Sequence, residues 1–169
     1  MKKHNGMRPH DLVILAKIAA KDNENWMMKD LAYELGISAS EISESINRSV
    51  YAGLLASDKK RLMKQSLIEF LEHGFRYVFP EKPGALVRGM VTAYSANPLA
   101  KEIQSNESVV WPYSEGDTRG QAINPLHVNV PIACKRDKKL HEILSLIDTL
   151  RIGKVREKKI AIEELKKRI

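Results

Sequence analysis

One feature constrains the fold of this sequence more than any other: two short amphipathic stretches joined at a single glycine. Apolar residues at helical spacing predict a helix over 27–35, and Gly36 is the residue type that most often ends a helix in the left-handed conformation. Ser38 and Glu41 follow in the S-x-x-E pattern of a capping box, which marks the start of another helix. That second helix is predicted over 38–52, so two helices meet at a tight turn.

The flanking residues extend this arrangement. Pro9 suits the first turn of a helix, and apolar residues at helical spacing predict that helix over 9–21. After Gly53, residues 57–61 (SDKKR) are polar and basic and predict a turn or short wing. A fourth helix is predicted over 63–73. The order is therefore helix, helix, tight turn, capped helix, basic turn.

This order resembles the winged helix-turn-helix of MarR-type and related regulators. The segment LAYELGISASEISESINRSVYAGLL is similar to the pattern of those proteins, and the resemblance covers about residues 8–64. It implies that one helix supports the next, which lies in the major groove of double-stranded DNA. The resemblance therefore implies a sequence-specific DNA-binding transcription regulator of prokaryotic type.

If residues 38–52 form the recognition helix, its polar side chains are candidates for contact with DNA. Serine can bond to bases or phosphates, asparagine can pair with adenine, and Arg48 suits a phosphate or a guanine. Glu44 is unfavourable near phosphates unless it accepts from a cytosine amino group. The predicted DNA-binding residues are Ser38, Ser40, Ser43, Glu44, Asn47 and Arg48 on the helix, and Lys59, Lys60, Arg61 and Lys64 in or after the basic turn. Lys2, Lys3 and Arg8 are further candidates for phosphate contact.

The rest of the chain has a different residue pattern from the N-terminal segment. Residues 75–80 (FRYVFP) are aromatic and β-branched and predict a short strand, and the Pro- and Gly-rich stretch 80–131 predicts loops with two or three short strands. Apolar stripes predict helices over 137–151 and 155–169. We therefore expect an α+β, mostly helical fold, with a winged helix-turn-helix domain over 1–64 and, over 65–169, an accessory and dimerisation region of loops, short strands and C-terminal helices.

The charge is basic overall but unevenly placed. The chain has 28 Lys and Arg against 21 Asp and Glu, a net charge of +7. Residues 1–53 contain 7 of each sign and are neutral, whereas residues 135–169 contain 12 basic and 6 acidic residues. The motif therefore supports DNA binding better than the net charge does. No run of about 18 apolar residues predicts a membrane span, so we expect a cytoplasmic protein.

The sequence gives little support for catalysis, for metal binding or for a bound cofactor. We find no catalytic constellation, metal-ligand spacing or phosphate loop, and expect neither an enzyme nor a cofactor or metal. Cys134 precedes two basic residues that would lower its pKa, although a small core residue is the favoured interpretation. Glu115, Asp117 and Arg119 lie between glycines and suit a metal, a phosphate or simply a solvated turn. A pocket for an anion is a further alternative, lined by Arg76, Tyr77, Arg88 and Tyr94.

Two expectations concern partners. The apolar stripes of the last two helices suit a homodimer interface, which regulators use to present two heads to a two-fold site, or else they pack on the middle region. Winged helices also serve as protein-interaction modules. The alternative function is therefore an antitoxin-like partner protein, which carries a winged-helix head before a partner-binding region.

Overall fold

The computed structural model describes residues 5–22 and 25–169. The fold is α+β, mostly helical, with one small three-stranded sheet. Its helices are α1 (Pro9–Ala20), α2 (Met28–Leu35), α3 (Ala39–Tyr51), α4 (Lys64–His73), α5 (Phe75–Val78), α6 (Val130–Arg136), α7 (Lys138–Ile152) and α8 (Val155–Arg168). Its strands are β1 (Leu86–Val91), β2 (Val109–Pro112) and β3 (Thr118–Ala122). Among these helices, none is both long and apolar enough to cross a membrane.

The first three helices begin and end close to their predicted positions. α2 stops at Gly36, whose φ of 63° is left-handed. Ser38 then accepts a hydrogen bond from the backbone N–H of Glu41 at 3.2 Å and starts α3. The predicted capping box is only half formed, because the Glu41 carboxylate accepts from Arg48 instead of the Ser38 backbone.

A minimal hairpin, residues 55–62, follows α3. Leu55 and Leu62 form an antiparallel bridge, and the backbone N–H of Ala56 donates to the Arg61 carbonyl at 2.8 Å. Both leucines face the interior, whereas the residues between them are polar and mostly exposed. The basic turn predicted over 57–61 is therefore the tip of this hairpin.

The sheet is closed by unusually close strand contacts. β1 is antiparallel to both β2 and β3, and β2 also pairs with β3 in parallel. A Cβ atom at Gly89 would lie 2.0 Å from the carbonyl oxygen of Trp111, and one at Gly120 would lie 2.4 Å from that of Ser108. The strands can approach this closely only because both positions lack a side chain.

One hydrophobic core runs through the molecule, and α7 lies at its centre. Buried residues of α1, α3 and α4 join those of the sheet, α7 and α8 in one continuous cluster. This cluster crosses the boundary predicted at residue 64. A buried polar group also ties the sheet to α7: Asp148 accepts from Thr92 Oγ1 at 2.8 Å, Trp111 Nε1 at 2.7 Å and Arg151 Nη1 at 3.0 Å.

The strand predicted over 75–80 is wrong, because this segment forms the short helix α5. Phe75 is fully buried and contacts the rings of Phe70 and Phe79, with centroids 6.3 and 6.0 Å away. Apolar contacts at i and i+4 suit a helix, whereas Tyr77, which a strand would bury with its neighbours at i±2, is exposed. The three strands agree with the two or three expected, while α6 was not predicted.

The C-terminal apolar stripes pack inside the chain. The buried residues include Leu140, Ile143, Leu144, Ile147 and Leu150 of α7 and Ile162, Leu165 and Ile169 in and after α8. These residues are not available to a second copy, so they do not support the homodimer expectation. Cys134 is also a buried core residue, and burial raises the pKa of its thiol, contrary to the lowering that its basic neighbours suggested.

Candidate nucleic-acid interface

The outer face of α3 carries most of the predicted contact residues. Ser40, Glu44 and Asn47 are exposed along it, Ser43 is half-buried, and Ser38 is exposed at its start. Serine hydroxyls and the asparagine amide both donate and accept hydrogen bonds. This face can therefore read hydrogen-bonding groups, but it carries no positive charge.

The expectation that Arg48 faces outward is wrong. Arg48 is 7% exposed and points between α1 and α3. Its Nε and Nη2 atoms donate to the two carboxylate oxygens of Asp11, at 2.9 and 2.7 Å, and Nη2 also donates to Glu41 at 2.6 Å. Asp11 is fully buried, so its charge requires this partner. Arg48 therefore holds α3 against α1 and is not available to nucleic acid.

The surroundings of Arg48 form a compact ion cluster. The hydrogen bond from Arg48 lowers the pKa of Glu41 to about 2, and His10 Nε2 lies 2.7 Å from the same carboxylate. His10, Asp11 and Glu41 are residue types that bind metals, with ligand atoms within 4.8 Å of one another. The Arg48 guanidinium already lies between the Asp11 and Glu41 carboxylates and supplies the positive charge that a metal ion would otherwise provide.

Backbone bonds at the hairpin tip present its basic side chains outward. The Asp58 carboxylate accepts from the backbone N–H groups of Lys60 and Arg61 at 2.8 and 2.9 Å. These two bonds also lower the pKa of Asp58. Lys59 sits in the left-handed region with φ of 59°, which completes the tight reversal. Lys59, Lys60 and Arg61 are all exposed at this tip.

A direct contact joins the hairpin tip to α3. Lys59 Nζ donates to Asn47 Oδ1 at 2.9 Å, and both residues are exposed. The basic tip therefore lies beside the polar outer face of the helix. We call the combined set Ser40, Ser43, Glu44, Asn47, Lys59 and Arg61 the α3–hairpin surface.

Two of the predicted basic contacts are placed differently. Lys60 donates from Nζ to the carbonyl of Trp26 at 2.6 Å and lies 4.3 Å from the centroid of its ring. It therefore clamps the hairpin to the segment before α2. Lys64 is exposed at the first position of α4. It lines a cleft of about 530 Å³ together with Lys139 and Arg168 of the C-terminal helices. Lys2 and Lys3 lie outside the described residues.

The accessory region supports the turn between α2 and α3. Asn129 Nδ2 donates to the Gly36 carbonyl at 2.8 Å. Lys17 of α1 is buried and forms ion pairs at 2.5 Å both with Glu34 of α2 and with Asp137 at the start of α7. The N-terminal helices are therefore held in place by the rest of the chain.

Several important residues were missed from the sequence. Asp11 was not singled out, although a carboxylate within the apolar run of the first helix signals a buried charge with a partner. Trp26 and Asp58, which shape the hairpin, had no sequence signal. Tyr51 is 76% exposed at the end of α3 and Tyr33 is 82% exposed on α2. Both escaped attention because they occupy ordinary helical positions.

The residues proposed as a pocket for an anion do not meet. Arg76 and Tyr77 contact each other on α5, with the guanidinium 5.5 Å from the ring centroid. Arg88 donates to the Gly116 carbonyl at 2.6 Å on the sheet. Tyr94 lines a separate cleft beside Gln104 and Lys154.

Comparisons of the chain with protein-family models, curated proteins and solved structures find no match.

Proposed function

We propose that residues 9–62 form a winged helix-turn-helix that binds double-stranded DNA, and that the protein is a sequence-specific transcription regulator. One observation carries the proposal: the basic hairpin tip lies beside the exposed polar face of α3, with Lys59 Nζ 2.9 Å from Asn47 Oδ1. A basic wing beside a helix that enters the major groove can reach the adjacent phosphates, which supports the proposal.

Different side chains of this surface would contact the bases and the phosphates. Asn47 can bond to an adenine edge through its amide, while Ser40 and Ser43 suit either bases or phosphates. Lys59 and Arg61 supply the phosphate contacts. Because Arg48 is buried in its ion pairs, we expect no bidentate arginine–guanine contact from α3. Adenine at the position facing Asn47 is the expected element of the operator.

The experiment compares binding of the full chain to its own upstream duplex and to a scrambled duplex at two salt concentrations. A regulator should bind the upstream duplex at least tenfold more tightly. Each lost phosphate contact should lower the slope of log K against log salt by about 0.9. Equal and steeply salt-dependent binding to both duplexes would instead indicate general attraction to a basic surface.

Variants locate the interface without disturbing the fold. Asn47→Ala should lose specificity for one base pair, about 1–3 kcal/mol, whereas Lys59→Gln with Arg61→Gln should weaken binding to every duplex. Lys159→Gln is the matched control, because this exposed residue of α8 lies outside the proposed surface. Arg48 and Lys60 are unsuitable test positions, since both have structural partners.

A second candidate is a protein-interaction module such as an antitoxin-like partner protein. It is favoured by two exposed aromatic residues of this segment, Tyr33 and Tyr51, which are 82% and 76% exposed. Exposed tyrosines are enriched at protein interfaces. If the upstream duplex does not bind, co-expression with the product of the neighbouring gene tests this function: a stable complex that Tyr33→Ala or Tyr51→Ala disrupts would establish it.

Dimerisation also remains a proposal, motivated by the two-fold sites of winged-helix regulators. Since the C-terminal stripes are buried, an interface would have to use another surface. Light scattering of the purified chain, with and without duplex, measures the mass directly.

A further inference from the structure

Two arginines face each other on the sheet. Arg88 of β1 and Arg119 of β3 are direct cross-strand partners in an antiparallel pair, and both are exposed. Directly opposed residues of an antiparallel pair project from the same face, with their Cβ atoms about 5 Å apart. Like charges in this position destabilise a sheet unless a counter-charge lies between them.

In the part of the chain that the structure describes, the nearby acidic residues form no ion pair with either arginine. Glu115 accepts from Lys135 at 2.8 Å and from the Tyr113 hydroxyl at 3.0 Å. Asp117 accepts from the Thr118 hydroxyl at 2.9 Å. Among residues 5–22 and 25–169, the Arg119 side chain has no ion-pair or hydrogen-bond partner. The Arg119 guanidinium therefore remains open to an anionic ligand in this part of the structure.

Arg88 is held in position while most of its donors remain open. Its Nε atom donates to the Gly116 carbonyl at 2.6 Å. The turn that carries Gly116 packs so closely on β1 that a Cβ atom there would lie 2.1 Å from the Gly89 carbonyl oxygen. The turn therefore anchors one edge of the guanidinium, and Nη1 and Nη2 have no partner among the described residues, so they can bind a ligand.

We propose that Arg88 and Arg119 together bind a phosphate monoester. The two arginines are paired on one face of the sheet and together carry two positive charges, and a phosphate monoester carries about −1.5 to −2 near neutral pH. Its three terminal oxygens also match the paired N–H groups of two arginines. A phosphodiester or a single carboxylate carries only one charge. The site lies on the accessory sheet and is independent of the α3–hairpin surface.

The first test is direct binding of adenosine 5′-monophosphate to the full chain by calorimetry, with adenosine as the matched ligand without phosphate. Inorganic phosphate is a third probe, which separates recognition of the phosphate from that of a nucleoside. We expect the monophosphate and inorganic phosphate to bind and adenosine not to bind. Binding of adenosine equal to that of its monophosphate would overturn the proposal.

Thermal unfolding of variants adds a second test, because the same substitution should remove the rise in Tm with phosphate and yet raise the Tm without phosphate. At about ten times Kd, phosphate should raise the Tm of the wild-type chain by about 3–6 °C over sodium chloride of equal ionic strength. Arg119→Gln should lose this rise, yet unfold about 1–3 °C higher than wild type without phosphate, because two like charges no longer occupy directly opposed positions. Arg88→Gln should also lose the rise.

Arg156→Gln is the control, because this exposed residue of α8 leaves the charge of the sheet unchanged. If it abolishes the response to phosphate as fully as Arg119→Gln does, the effect belongs to net charge and the proposal fails. If poly-glutamate stabilises the chain as well as phosphate and Arg119→Gln removes both effects, the pair is a contact for an acidic protein surface instead.

Discussion

Replacing Arg48 with methionine should destabilise the whole fold, although the residue lies on the helix that we propose to read DNA. Asp11 and Glu41 together accept three hydrogen bonds from the Arg48 side chain and one from the backbone N–H of Arg8. The change removes the three from Arg48. Asp11 is fully buried and would retain only the backbone N–H of Arg8 at 2.8 Å. Its charge would then be uncompensated.

The size of the effect follows from this burial. Removing one partner of a buried ion pair typically costs about 3–5 kcal/mol. A domain of this size has a free energy of unfolding of about 5–15 kcal/mol, so the loss is a large fraction of the total. For a chain of 150–250 residues this corresponds to a fall in Tm of roughly 6–20 °C.

The assay is urea unfolding, and a double variant isolates the cause. Asp11→Asn with Arg48→Met removes both charges but keeps an acceptor for the Arg8 N–H, so it should recover most of the loss. Asn47→Ala, one position away and exposed, should change the stability by no more than about 0.5 kcal/mol. An Arg48→Met variant within about 1 kcal/mol of wild type, or a double variant no more stable than the single one, would refute the reasoning.

Three further predictions concern other residues. Glu41→Gln should make the free energy of unfolding fall less steeply in acid. The Glu41 carboxylate has a pKa of about 2 in the folded chain and an ordinary value of 4.5, so it stabilises the fold above pH 4.5 and loses that contribution as the pH falls towards 2. Urea unfolding at pH 6, 4 and 3 measures this, and parallel curves for wild type and variant would contradict it. Ser45→Ala should leave the stability unchanged or raise it by about 1 kcal/mol, since the buried Ser45 hydroxyl has no hydrogen-bond partner within residues 5–22 and 25–169; a clear loss of stability would show that this hydroxyl does form a hydrogen bond. Gly89→Ala should destabilise the fold by about 1–3 kcal/mol or more, because its Cβ would lie 2.0 Å from a carbonyl oxygen. Gly84→Ala is the control, since a Cβ there would lie 3.6 Å from the nearest carbonyl oxygen. Equal thermal unfolding of the two variants would count against the close strand contact.

Local signals explain which parts of the fold were predictable. The left-handed residue Gly36 and the cap at Ser38 act within a few residues, so the sequence predicted α2 and α3 closely. The stripe of α7 was equally clear because its apolar residues recur at helical spacing over four turns. The helix α5 was not predictable from its composition, since its aromatic residues were equally suited to a strand and only the packing of Phe75 distinguishes them.

The partners of charged residues were much less predictable. Arg48 and Asp11 are 37 residues apart in the chain, and helical spacing alone placed Arg48 on the outer face of α3. In the same way, Lys60 belongs to a basic tripeptide at an exposed tip, yet its ammonium group is engaged by Trp26. The sequence therefore indicated that the polar face of α3 and the basic turn lie on the outside, but it overestimated the positive charge available there.

Net charge is consequently a poor guide to what this protein binds. In the N-terminal segment, the ammonium and guanidinium groups of Lys17, Lys21 and Arg48 are neutralised by acidic partners within the chain. Arg119 on the sheet has no such partner among the residues that the structure describes, and residues 135–169 hold most of the excess charge. If DNA binds at the α3–hairpin surface, its electrostatic attraction must depend mainly on Lys59 and Arg61. The salt dependence of duplex binding should therefore be shallow, while basic residues elsewhere on the chain remain available for a different anion.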